Sequence, residues 1–98
     1  MEQVNELKQT LRLPTIGRQV HYFPINDPHC AANGATVLPA TVVQVHGKYL
    51  NLSIITMNAD GPLVMRWSVP HASDAGSFPG AMGVWEWPAY APDQYIEI

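Results

Sequence analysis

Cysteine is almost missing from this chain. Cys30 is the only one, so no intrachain disulfide can form, and none is needed in a reducing compartment. Charge is scarce as well. Only 13% of the 98 residues are charged, and five basic against eight acidic residues leave a formal charge of −3. Nucleic-acid binders gather Lys and Arg on one face; five basic residues scattered along the chain make no such face, so no nucleic-acid polymer is expected as a partner. No segment approaches the ~20 apolar residues of a membrane span, and Met1-Glu2-Gln3-Val4-Asn5-Glu6 lacks the basic and apolar regions of a secretory signal. The expectation is a cytoplasmic protein without a membrane partner. There are no internal repeats and no low-complexity stretches.

What is present is apolar bulk, 47% of the chain, enough to fold and of a size for one core. Low charge also suggests that part of the surface is covered by another copy or a partner. The pattern divides the chain into three. In residues 1–14, Val4, Leu7 and Leu11 recur at helical spacing, with Glu2, Glu6, Lys8 and Arg12 on the other sides and Pro14 as a stop. A helix of about eleven residues is marginal alone and has to dock its apolar stripe. Residues 15–88 read as a β domain, and residues 89–98, with Tyr90, Tyr95, Ile96 and Ile98, as an apolar tail packing on the domain or on a neighbour.

Within the β domain the expected strands are Gly17–Phe23, Val37–His46, Tyr49–Met57, Leu63–Val69 and Met82–Trp87. The second and third form a hairpin about Gly47-Lys48. Pro24–Gly34, with two prolines and an Asn-Gly step, cannot be regular structure, and His71–Gly80 is a second long loop. Leu50, Leu52 and Ile54 share one face of the third strand, opposite Tyr49, Asn51 and Ser53. On the fourth, simple alternation sets Leu63, Met65, Trp67 and Val69 against Val64, Arg66 and Ser68. The fold class is mainly β: a small five-stranded open barrel or rolled antiparallel sheet, of SH3-like or OB-like size, with a short N-terminal helix.

His21, His29, His46 and His71 could join Cys30 in a zinc site, but no pair has ligand spacing such as Cys-x-x-Cys or His-x-x-x-His; no metal and no cofactor is expected. Cys30 with a histidine and Asp27 or Asp74 would be a formal triad, yet there is no nucleophile elbow, and the chain is read as non-enzymatic. Trp67 reads as core. Trp85 and Trp87, two residues apart on one strand face, suit a core or an interface equally, since an indole both fills space and stacks on planar ligands. Arg66 in mid-strand reads as a solvated or ion-paired surface residue or as a phosphate ligand. The candidate ligand-binding set is Arg66, Trp85, Trp87, Tyr49, Asn51 and Arg18, with Lys48 and Ser68 as further polar groups.

Taken in order, Gly17-Arg18-Gln19-Val20-His21-Tyr22, Pro39-Ala40-Thr41-Val42, Asn51-Leu52 and Gly83-Val84-Trp85-Glu86-Trp87-Pro88 resemble a family of small proteins encoded by tailed bacteriophages and prophages. Its members look like Gly-Arg-x-Val-His-Tyr, Pro-Ala-x-Val and Gly-x-Trp-x-Trp-Pro. The resemblance spans about Ile16 to Pro88, and the segment between Tyr22 and Pro39 looks shorter here than in many members of that family. It implies a phage-encoded accessory protein at work in an infected bacterium or in the particle. Physically, the motif residues also serve folding: Gly17 and Gly83 suit close approach, and Pro39 and Pro88 limit edge pairing.

The functional expectation is a binding protein that sequesters a small nucleotide-derived immune signal, as a counter-defence. A barrel this small fills its own interior, so a ligand pocket is expected between subunits of a homo-oligomer. The rival expectation is a virion accessory protein of tail or baseplate, and a third is an inhibitor docking on a host enzyme.

Overall fold

A computed structural model describes residues 11–77, 79–89 and 95–97; the expected helix falls mostly in residues 1–10 and lies outside them. Five strands form one antiparallel sheet: β1 (Gln19–Pro24), β2 (Leu38–His46), β3 (Tyr49–Ile55), β4 (Leu63–Val69) and β5 (Gly83–Glu86). The sheet order is β4-β3-β2-β1-β5, and it curls into a half-barrel. The β2–β3 hairpin turns at Gly47, whose φ of +63° is a left-handed value that costs glycine little. Tyr95 and Ile96 of the tail are exposed.

The concave face is lined by Val20, Tyr22, Leu38, Ala40, Val42, Leu50, Leu52, Ile54, Val69 and Trp85, all buried. These side chains alternate along their strands, as a half-buried sheet requires, and they fill the interior. Pro39 is not at an edge: β2 is a central strand, and Pro39 faces His21 on β1 while the last β2–β3 pair is Ala40 with Ile54. The proline therefore sits just beyond the reach of β3, where a missing N–H costs no ladder bond.

Two register shifts bend the sheet, both beside Asn51. On one side Val42 faces Leu52 while Gln44 faces Asn51, leaving Val43 as an extra residue. On the other, Leu52 faces Arg66 while Leu50 faces Val69, so Trp67 and Ser68 together oppose Asn51. Ser68 has a φ of +53°. Asn51 stabilises this second bulge from within the sheet: its Oδ1 accepts the Ser68 amide at 2.9 Å and His46 Nε2–H at 3.0 Å. Bulges of this kind increase twist and re-aim side chains.

The bulge also corrects the face assignment of β4. Val64 and Arg66 lie opposite the inward Ile54 and Leu52, whereas Leu63 and Met65 lie opposite Ile55 and Ser53. The extra residue then restores Val69 to the interior. Trp67, expected in the core, is 66% exposed.

The irregular segment after β1 folds over the barrel and supplies a plug. Asp27 Oδ1 accepts the Cys30 amide at 3.3 Å, and Ala31 N–H bonds the Asp27 carbonyl at 2.8 Å. His29 and Asn33 tie the segment to the turn after β3, through the Gly61 carbonyl (3.0 Å) and the Met57 carbonyl (2.8 Å). Asp27 and Cys30 end up fully enclosed.

Candidate ligand groove at the sheet seam

Because the end strands of the curled sheet, β4 and β5, follow one another in direction, they meet as parallel neighbours. They join only at one end, where Trp85 N–H donates to the Pro70 carbonyl at 3.0 Å and His71 bridges Trp85. Beyond that contact the seam stays open as a groove of about 430 Å³ between Met65–Pro70 and Gly80–Gly83. Trp67 and Met82, 66% and 43% exposed, stand at its sides. Tyr22 and Arg66 form its polar floor. The volume is in the range of small-molecule sites, and its lining residues all come from one chain.

Gly83 makes the floor possible. A Cβ there would lie 2.6 Å from the Phe23 carbonyl and inside contact distance of the Tyr22 ring. Without one, the Tyr22 hydroxyl reaches Asp27 Oδ2 at 2.7 Å. Arg66 closes the same carboxylate in a fork, Nε to Oδ2 at 2.8 Å and Nη2 to Oδ1 at 3.0 Å, and its Nη1 donates to the Met65 carbonyl at 2.9 Å. Burial alone would push the Asp27 carboxyl up; hydrogen bonds from Arg66, Tyr22 and Cys30 outweigh it and hold the group well below the usual carboxylate range. The same pairing holds Arg66 charged. Burial, reinforced by the Asp27 acceptor, pushes the Tyr22 phenol up. At neutral pH the floor is thus an ion pair of no net charge, with one hydroxyl.

Burial, with Asp27 nearby, also raises the Cys30 thiol to about 11. A nucleophilic cysteine needs the opposite shift. The thiol should therefore resist a disulfide reagent at pH 8 in the native protein and react at the ordinary rate in urea; rapid native labelling would contradict the burial described here.

The candidate residues named from sequence separate into different places. Arg66 lines the groove. Trp85 is wholly buried behind it, its ring edge-on to Trp87 at 6.3 Å and to His71 at 4.7 Å; the two indoles do share a face, one in the core and one at its rim. Asn51 is committed to the bulge. Tyr49 opposes His46 at the hairpin end, and Lys48 pairs with Asp74 at 3.1 Å. Arg18 joins Trp87 at the far end of β5, with its guanidinium carbon 5.6 Å from the ring centre. The residues outside the candidate set are Trp67, Tyr22 and Met82 in the groove, Asp27 buried beneath it, and Arg12 beside Trp87.

One further row of groups has catalytic residue types. His71 Nδ1 lies 2.9 Å from Ser73 Oγ, and His71 Nε2 lies 3.1 Å from Glu86 Oε1. The same Nδ1 accepts the Ser73 amide at 3.1 Å, so the ring caps the first turn of the short 3₁₀ segment Ala72–Ser77, the usual role of a side-chain acceptor two residues before an orphan amide. Among the described residues no three His, Cys, Asp or Glu side chains are grouped to hold a metal ion, and no helix is long and apolar enough to cross a membrane. In comparison with known proteins, the chain matches no family model, no curated relative and no solved structure.

Proposed function

We propose that this chain is a phage-encoded, non-enzymatic binding protein that sequesters a small nucleotide-derived immune signal, and that the seam groove takes the planar base. The observation that supports this reading best is the groove itself: an exposed indole and a thioether flank a cleft whose floor offers the partly exposed edge of the Arg66 guanidinium. Stacking on Trp67 supplies affinity for any flat ring, and the floor supplies directional hydrogen bonds. The neutral ion pair favours the base over the phosphates. The open side of the groove calls for a cover, which a second copy in a homo-oligomer provides in this reading.

Native mass spectrometry of the protein, alone and with a panel of cyclic and linear nucleotides, tests it. The expected result is an oligomer that gains whole ligand masses and releases them unaltered on denaturation. Trp67→Ala should weaken that binding roughly tenfold or more, the worth of one base–indole stack, while leaving the fold intact, because the side chain is outside the core. A strict monomer that gains no mass from any nucleotide would overturn the reading. It would favour the second one, a virion accessory protein, for which the exposed Ile55 and Leu63, paired on the convex face, with Met57 in the turn between them, are the motivating feature. A fixed copy number in purified particles is its own test.

A further inference from the structure

At the opposite end of β5 from the groove, two arginines converge on one indole. The guanidinium carbon of Arg12 lies 4.1 Å from the Trp87 ring centre and that of Arg18 lies 5.6 Å from it. Separate backbone anchors bring them there. Trp87 Nε1–H donates to the Arg12 carbonyl at 2.8 Å, and Leu11, like Trp87, packs against the core. Arg18 is held by β2, where its carbonyl accepts Val42 N–H at 2.9 Å and the Gly17 amide bonds the Val42 carbonyl at 2.8 Å. The convergence is built by the chain path rather than by the mutual attraction of the two side chains, which carry the same charge.

The other described cations are matched by carboxylates, Arg66 by Asp27 and Lys48 by Asp74. Among the described residues neither Arg12 nor Arg18 has such a partner, although acidic residues outnumber basic ones in the chain. The nearest carboxylate in sequence, Glu86, is turned to the Trp87 amide at 3.1 Å and to His71. A guanidinium over an aromatic ring spends its flat face on the π system and keeps its N–H edges free. Two such edges beside one indole form a donor set suited to tetrahedral oxyanions, which guanidinium groups bind by paired hydrogen bonds.

We infer that Arg12 and Arg18, both set against the Trp87 ring, form an anion site for a phosphate or diphosphate group. The site stands on its own geometry, independent of the groove: a nucleotide could be lost from one and its phosphate chemistry kept at the other. Like-charged arginines held together are stabilised by an anion that both can reach, and the exposed setting makes binding weaken as salt rises.

The test is a titration of the full chain with inorganic pyrophosphate at low ionic strength, followed by the indole N–H resonances in NMR; Trp87→Phe identifies the Trp87 signal. The expected result is a saturable shift of the Trp87 resonance with those of Trp67 and Trp85 unmoved. Arg12→Gln and Arg18→Gln should each weaken it about tenfold, the loss of one charge-assisted contact, and Arg18→Lys should fall between. Unmoved Trp67 and Trp85 signals in each variant show that the fold survives. No shift of the Trp87 resonance at ~10 mM pyrophosphate, well above the weak end of charge-assisted binding, would overturn the proposal. So would equal binding by the wild type and both glutamine variants.

Discussion

Replacing Arg66 by alanine is expected to cost about 3–5 kcal/mol of folding free energy, read as a shift of the urea midpoint at unchanged slope. Small domains have 5–15 kcal/mol in all, so the variant should be near the edge of folding. The cause is the group left behind. Asp27 has no exposed side-chain surface, while Arg66 is only 21% exposed, and without the guanidinium fork a carboxylate remains buried with Tyr22 and the Cys30 amide as its donors. Removing both partners is gentler than removing one. Asp27→Asn combined with Arg66→Ala should be more stable than Arg66→Ala alone, since an amide at position 27 can still accept from Tyr22 without carrying charge. Loss of ligand binding in Arg66→Ala would therefore not identify Arg66 as a ligand contact unless the fold is shown to persist.

The pH dependence separates this explanation from simple loss of packing. In the wild type the native pKa of Asp27 lies below the unfolded value of about 3.9. Its stabilisation is then fully present above that value and lost as pH falls through the depressed native one. In Arg66→Ala the balance reverses: burial, now the larger effect, raises the native pKa above the unfolded one. The penalty is full above the raised native value and disappears as pH falls through it toward the unfolded one. The stability gap between wild type and variant should narrow between pH 7 and pH 4. A gap that stays constant over that range would mean that Asp27 is not left charged in the variant, and the account of the floor would fail.

The half-barrel was legible in the sequence because its signals are local. Period-two alternation of Leu50, Leu52 and Ile54 marks β3, glycine marks the hairpin, and Asn58-Ala59-Asp60-Gly61 ends one strand and begins the next. The limits of β4 match the expected Leu63–Val69 for the same reason. Its facing does not, because a bulge exists only relative to a partner strand. Nothing near Trp67-Ser68 announces a left-handed residue, since serine stands where glycine or asparagine would be the usual signal. The groove is non-local in the same sense. Arg66 stands out as a polar residue in an apolar strand, but its partner Asp27 is 39 residues away in a segment whose prolines indicate only irregularity. Arg12 was hidden differently. It counted as the polar side of a helix, while its neighbour in space, Trp87, is 75 residues on.

The residue that connects fold to groove is Asn51, and its replacement by alanine should show that connection. Asn51 Oδ1 is the acceptor for the Ser68 amide and for His46 Nε2–H; alanine removes that shared acceptor from a buried position, although Ser68 and His46 themselves are exposed. Each lost hydrogen bond is worth about 0.5–1.5 kcal/mol net, so a loss of about 1–3 kcal/mol is expected by urea denaturation. The bulge then loses what holds Ser68 at a positive φ, a conformation that itself costs of order 1 kcal/mol in a non-glycine residue. A β4 relaxed to regular pairing that keeps Val69 opposite Leu50 would bring Trp67 opposite the inward Leu52 and turn it toward the core, since bulge and facing are coupled by the two-residue period. Trp67 is the most exposed of the three tryptophans, so acrylamide quenching of the total emission should fall in Asn51→Ala, and base stacking in the groove should be lost with it. Ser68→Gly makes the opposite change, relieving the strain while keeping the acceptor. It should leave quenching and ligand binding as they are and match or exceed wild-type stability. If Asn51→Ala instead loses stability with Trp67 as quenchable as before, the bulge is held by β3 and β4 themselves, and Asn51 merely occupies it.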